Sequence, residues 1–128
     1  MRTEHEMFNL ILNVAKNDER IRAVFMNGSR TNPNAIKDIF QDYDIVYVVE
    51  ETKSFREGNN WIDQFGERLY MQYPDENSYY KNDVDNSYGW LIQFTDGNRH
   101  AHYILDKFKV FGNQFLLCAI YLMILLRM

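Results

Sequence analysis

Met26-Asn27-Gly28-Ser29-Arg30 and, after a short spacer, Phe40-Gln41-Asp42-Tyr43-Asp44-Ile45 decide how this chain of 128 residues is read. An apolar run from Ile21 to Met26 enters a Gly-Ser turn. A second apolar run, Ile45 to Val49, begins behind two aspartates one residue apart. On a strand, successive side chains alternate faces, so Asp42 and Asp44 point the same way, with Cβ atoms about 6.5 to 7 Å apart. Two carboxylates so spaced can share a divalent cation. Mg²⁺ takes near-octahedral oxygen coordination and is usually held by one or two carboxylates plus substrate phosphates, so an Asp-x-Asp at a strand edge suits metal-triphosphate capture. Gly28 lets the backbone turn sharply and phosphate approach it, Ser29 adds a hydroxyl donor, and a helical turn after Ser29 aims free N–H groups at phosphates. A Gly-Ser pair alone recurs by chance, and a lone Asp-x-Asp is usually a solvated strand edge. The ordered combination, each half at the end of an apolar run, carries the signal.

Upstream, Thr3-Glu4-His5-Glu6 reads as a capping box, and Met7, Leu10, Ile11 and Val14 form one face of an amphipathic helix that ends at Asn17-Asp18. Ile21 to Met26 is then a short strand delivering Gly28 and Ser29. Asn32-Pro33-Asn34 makes the spacer from Thr31 to Lys37 a loop or broken turn. The strand from Asp42 to Val49 is apolar on both faces beyond its aspartates, which predicts a central position in the sheet. After a polar stretch to Asn60, Trp61, Ile62, Phe65 and Leu69 recur at helical spacing and predict a second helix, packed in the core and stopped by Pro74.

Asp75 to Ser87 is an acidic loop, more readily a solvated charge run than a collector of polycations. Asp83-x-Asp85-x-Ser87 begins like a calcium loop, but Tyr88 stands where glycine is required and Phe94 where glutamate is needed. Tyr88 to Thr95 predicts a strand, Asp96-Gly97 a hairpin turn, and Arg99 to about Leu105 the antiparallel return. His100 and His102 share the face opposite Ala101, where a polar edge is the expected role rather than metal ligation. The whole predicts an α/β (α+β) fold, a mixed sheet with helices packed on it.

Hydrophobic residues make up 46% of the chain and aromatic residues 16%, which argues for a globular domain and against disorder. The net charge of -4 disfavours nonspecific nucleic-acid binding and is compatible with a cationic acceptor. Cys118 is the single cysteine, so no internal disulfide forms and nothing asks for an oxidising compartment. With no signal peptide in the opening residues, a cytoplasmic location is the expectation. Zinc-type Cys and His clusters are absent.

The segments Asn17 to Arg22, Met26 to Asn32, Phe40 to Asp44 and Phe94-Thr95-Asp96-Gly97-Asn98-Arg99 resemble the N-terminal domain of the aminoglycoside 6-adenylyltransferases, over Met1 to about Arg99. The apolar-Gly-Ser and Asp-apolar-Asp pair is also similar to the wider nucleotidyltransferase signature. The resemblance implies a nucleotidyltransferase-type sheet and transfer of AMP from Mg-ATP to a hydroxyl of streptomycin, with release of pyrophosphate. It implies Asp42 and Asp44 as catalytic, Mg²⁺-binding residues, and Gly28, Ser29 and Arg30 as nucleotide-binding residues. ATP and the aminoglycoside are the implied partners.

The family carries a third aspartate four residues beyond the glycine of the Asp-Gly turn. Here Ala101 occupies that place, which implies impaired or lost catalysis; loss of a general base or metal-linked carboxylate commonly costs several powers of ten. Neither Asp96, in the turn, nor the distant Asp106 replaces it. The reading divides the chain into a nucleotidyltransferase domain, 1–107, and an apolar tail, 108–128, unlike the family. Phe115 to Leu126 is uncharged but short of the ~20 residues that span a bilayer, so a buried or interfacial helix, or self-association through the tail, is expected rather than a membrane span. A truncated or frame-altered copy of the enzyme accounts for both departures. The alternatives are a minimal nucleotidyltransferase domain acting with a helical partner in a toxin-antitoxin type module, and a non-catalytic remnant.

Overall fold

A computed structural model describes residues 1–27, 42–57, 61–76, 83–107 and 122–125. Gly28, Ser29 and Arg30, the Pro33 turn and most of the apolar run from Phe115 lie outside the described residues. The order is α1 (Glu4–Asn17), β1 (Ile21–Asn27), β2 (Tyr43–Val49), α2 (Lys53–Arg56), a 3₁₀ turn (Trp61–Phe65), β3 (Arg68–Gln72), β4 (Ser87–Phe94), β5 (Arg99–Asp106) and β6 (Leu122–Leu125). The strands form one mixed sheet in the order β3-β4-β5-β2-β1-β6. Only β2 and β5 run parallel, from Tyr43 beside His100 to Val49 beside Asp106. Among the described residues no helix is long and apolar enough to cross a membrane.

The capping signal forms as expected, with the Glu6 N–H donating to the Thr3 hydroxyl over 3.1 Å. Helix α1 buries Met7, Ile11, Val14 and Ala15. Because β2 is buried on both faces, its alternation splits the core in two: Tyr43, Ile45, Tyr47 and Val49 join the cluster with α1, while Val46 and Val48 join Ala23, Phe25 and Leu105. Each buried Val, Ile, Leu or Phe among them adds about 1.5–3 kcal/mol by burial alone. The Tyr47 hydroxyl donates to the Ile11 carbonyl over 2.9 Å and ties α1 to the sheet.

Three local expectations are corrected. The helix expected from Trp61 to Leu69 is only one 3₁₀ turn, after which Arg68–Gln72 pairs with β4 as an edge strand. Gly66, at φ +142°, redirects the chain there, and Leu69 is 67% exposed rather than in the core. The polar stretch before it contains the short helix α2, whose Phe55 is buried. In the apolar tail, Leu122–Leu125 is a strand paired antiparallel to β1, not part of a helix. A short apolar run is ambiguous by periodicity, and the edge of β1 supplies the backbone partners that decide it.

An N-terminal latch closes the sheet's β4–β5 end. The Arg2 Nε–H donates to Asp96 Oδ2 over 2.7 Å, its guanidinium also reaches the Phe65 carbonyl, and it lies 5.1 Å from the Phe94 ring centre. Asn98 donates its backbone N–H and side-chain amide to the same carboxylate. Burial alone would push the Asp96 carboxyl up, but the hydrogen bonds from Arg2 and Asn98 outweigh it and hold it well below the ordinary range. Asp96→Ala is expected to lower unfolding stability by about 1–2 kcal/mol in urea titration, because it strands the Arg2 and Asn98 donors.

Candidate active site

Strand β2 organises the site. In the antiparallel register with β1, Asn27 stands beside Asp44, so the backbone leading into Gly28 arrives next to that aspartate. On its other side, in the parallel register with β5, Asp44 stands beside Ala101. The position where the family pattern calls for a third carboxylate is therefore the direct neighbour of Asp44 on the same face. Asp106 lies at the far end of the same pairing, beside Val49, about 16 Å along the strand at ~3.3 Å per residue. It is out of reach.

Asp42 sits one residue before β2 and is half-exposed, ion-paired with Arg99 at 2.9 Å from Nε to Oδ1. Asp44 is more enclosed, and burial, reinforced by the charge of Asp42, raises its carboxyl above the ordinary range. A half-buried carboxylate raised by a neighbouring carboxylate's charge is an arrangement a divalent cation relieves. No group of three metal-ligating side chains occurs among the described residues. Two carboxylates on one face could hold a cation that takes its other ligands from phosphates and water, as Mg²⁺ usually does.

Beside Asp42 a cavity of about 220 Å³ opens over the sheet, lined by Ala101, Leu91, Gln93, Tyr70 and Arg99 among others. The Ala101 methyl leaves this space free. One step further along the same face, the Tyr103 ring lies over Gly89, where an added Cβ would come within 2.6 Å of the ring carbons. Burial raises the Tyr103 hydroxyl, and the charges of Asp44 and Asp75 raise it further. Gly89 also donates its backbone N–H to the Asp75 carboxylate. Arg99 closes a segment shared with the family and Tyr103 carries no motif; the β2–β5 register puts them by the aspartates.

His100 and His102 are not at a polar edge. Both are buried, on the opposite face, with 2.8 Å between His100 Nδ1 and His102 Nε2. Phe65 lies 4.0 Å from the His102 ring and Phe94 lies 4.7 Å from that of His100, centre to centre. They are core residues that help hold β5, and the sheet separates them from the aspartates.

A mixed sheet whose central strand begins with two aspartates, beside the strand that leads to Gly28, is a nucleotidyltransferase-type α+β domain. The family model for streptomycin adenylyltransferase matches residues 1–121, and the chain belongs to that family. It is 46% identical over 99 residues to an aminoglycoside 6-adenylyltransferase of Bacillus subtilis, covering 77% of this chain and 35% of the relative. Over 96 residues it is 44% identical to the Campylobacter jejuni enzyme of the same name, covering 75% and 33%. The crystal structure of an aminoglycoside 6-adenyltransferase from Bacillus subtilis superposes with a TM-score of 0.72 at 33% identity, over 88% of this chain and 38% of the other. The chain spans about a third of the length of the relatives it matches.

Proposed function

We propose that this chain carries the nucleotide-handling part of an aminoglycoside adenylyltransferase, which transfers AMP from Mg-ATP to a hydroxyl of streptomycin. The placement of Asp44 between the strand entering Gly28 and the position of Ala101 is the observation that carries this reading. In it, Asp42 and Asp44 hold the cation, and Gly28, Ser29 and Arg30, outside the described residues, hold the triphosphate. The cation would neutralise the phosphate oxygens and orient the triphosphate for in-line attack. Asp44, half-buried, gives the site a fixed anion; Asp42, more exposed, is the carboxylate that adjusts. The acceptor oxygen bonds to the α-phosphorus as the bond to pyrophosphate breaks. With alanine at position 101, the acceptor's proton passes to solvent rather than to a positioned carboxylate, and transfer is slow.

A cytoplasmic setting, where ATP is abundant, suits this chemistry. The test separates binding from transfer. Mg-ATP at a hundred times its dissociation constant is expected to stabilise the chain by about 2.7 kcal/mol, read as a rise in melting temperature. Asp42→Asn and Asp44→Asn should each abolish that rise, and incubation with streptomycin should add AMP to the drug's mass. A folded chain whose melting temperature ignores Mg-ATP would sink the reading. Thermal stabilisation without any adenylylated drug would leave nucleotide binding as the surviving function.

A further inference from the structure

We propose that Arg99 acts as an electrostatic filter at the Asp42–Asp44 pair, disfavouring a bare divalent cation and favouring one that arrives with a triphosphate. This rests on the reading of the two aspartates as cation ligands. Arg99 is the first residue of β5, two positions before Ala101, and its Nε–H is held 2.9 Å from Asp42 Oδ1. Both side chains are half-exposed, and an ion pair in such a setting adds little to fold stability. Its consequence lies in the ligands the site accepts.

The charges give the direction. Asp42 and Asp44 supply two negative charges and Arg99 one positive charge, while Ala101, directly beside Asp44, supplies none. A bare dication entering this group meets the guanidinium already engaged with one of its two carboxylates. A like-charged neighbour sharing a carboxylate with a dication in half-solvated surroundings weakens its hold by about threefold to tenfold. A cation bound to triphosphate brings net negative charge instead. The guanidinium, a planar fork suited to phosphate oxygens, can then pass from Asp42 to the phosphates while the cation takes the carboxylate. Arg99 also lines the cavity beside Asp42, so it reaches the site from the open side rather than from the core. Its effect on a bare cation runs through Asp42, and its effect on a cation–triphosphate complex through direct contact with the phosphates.

The test uses the full chain with Mn²⁺ as probe, alone and with α,β-methylene-ATP, reading bound Mn²⁺ by water-proton relaxation. Arg99→Met keeps the aliphatic stem and removes the charge; Arg99→Gln is a second neutral variant should the first fail to fold. Either is expected to bind Mn²⁺ alone about threefold to tenfold more tightly, and Mn²⁺ with the nucleotide about threefold to tenfold more weakly. Arg99→Lys, which keeps the charge without the fork, should stay near the parent with Mn²⁺ alone. A neutral variant that weakens both, as loss of an orienting contact would, overturns the filter, as does one that changes neither. A parent chain that binds no Mn–nucleotide overturns the two-aspartate reading itself. The two failures are therefore distinct.

Discussion

Ala101→Asp is expected to raise AMP transfer to streptomycin by about 10²–10⁴ over the parent chain, the range a positioned general base supplies. The parallel register puts residue 101 beside Asp44 on the same face, and the cavity over Ala101 gives a longer side chain room. A carboxylate there would add a ligand for the cation and an acceptor for the attacking hydroxyl's proton. The same change should carry a signature that activity alone does not. Without metal, a further anion beside Asp44, whose carboxyl is already raised by burial and by Asp42, destabilises the fold. Mn²⁺ or Mg²⁺ with nucleotide should reverse that loss and bind about ten- to a hundredfold more tightly than to the parent. Chemical denaturation with and without Mn–nucleotide, beside the mass of the drug, checks both. A variant destabilised equally with and without metal would show that residue 101 faces no cation.

Acid should unfold the chain earlier than its carboxylates require. His100 and His102 are buried with ring nitrogens 2.8 Å apart, His100 Nδ1 facing His102 Nε2. Their rings pack among those of Tyr43, Tyr47, Phe65 and Phe94, and Arg2 lies over the Phe94 ring. Burial, and then the neighbouring His100, hold the His102 pKa well below its ordinary 6.5. Since the unfolded chain takes up the proton that the folded chain refuses, stability is full above pH 6.5 and falls as the pH drops toward the folded value. The slope is about 1.4 kcal/mol per pH unit for one proton taken up on unfolding, so stability falls below pH 6.5 as His102 protonates in the unfolded chain. Asp96, held below the ordinary carboxylate range, gives up its contribution only in stronger acid. Urea midpoints between pH 7.5 and 5 would trace the loss, and His102→Phe should flatten it. An unchanged slope in that variant would place the acid-sensitive group elsewhere.

Much of the scaffold was legible because local chemistry and tertiary packing agree. Thr3 caps α1, the Met7-Ile11-Val14 face is buried, β2 is apolar on both faces and interior to the sheet, and Asp96-Gly97 turns β4 into β5. Where they compete, packing wins. Phe65 and Leu69 stand four apart as on a helix, yet Gly66 breaks the run and the edge of β4 captures Leu69 in a strand. His100 and His102 look polar in sequence, but their strand face is the aromatic core, where the two rings pair with each other.

By itself the sequence determined the fold class, the two aspartates at the head of a central strand, and alanine where a third carboxylate is the family's rule. The first two follow from alternation, turn chemistry and spacing, which act over a few residues; the third is what the family resemblance implies. Tertiary structure alone decided that Ala101 stands beside Asp44, that Arg99 holds Asp42, that Tyr103 lies over Gly89 and that Arg2 latches Asp96. Each of these joins residues far apart in the chain. Their meeting depends on strand order and register, and those are set by how the whole sheet closes over its core rather than by any local preference.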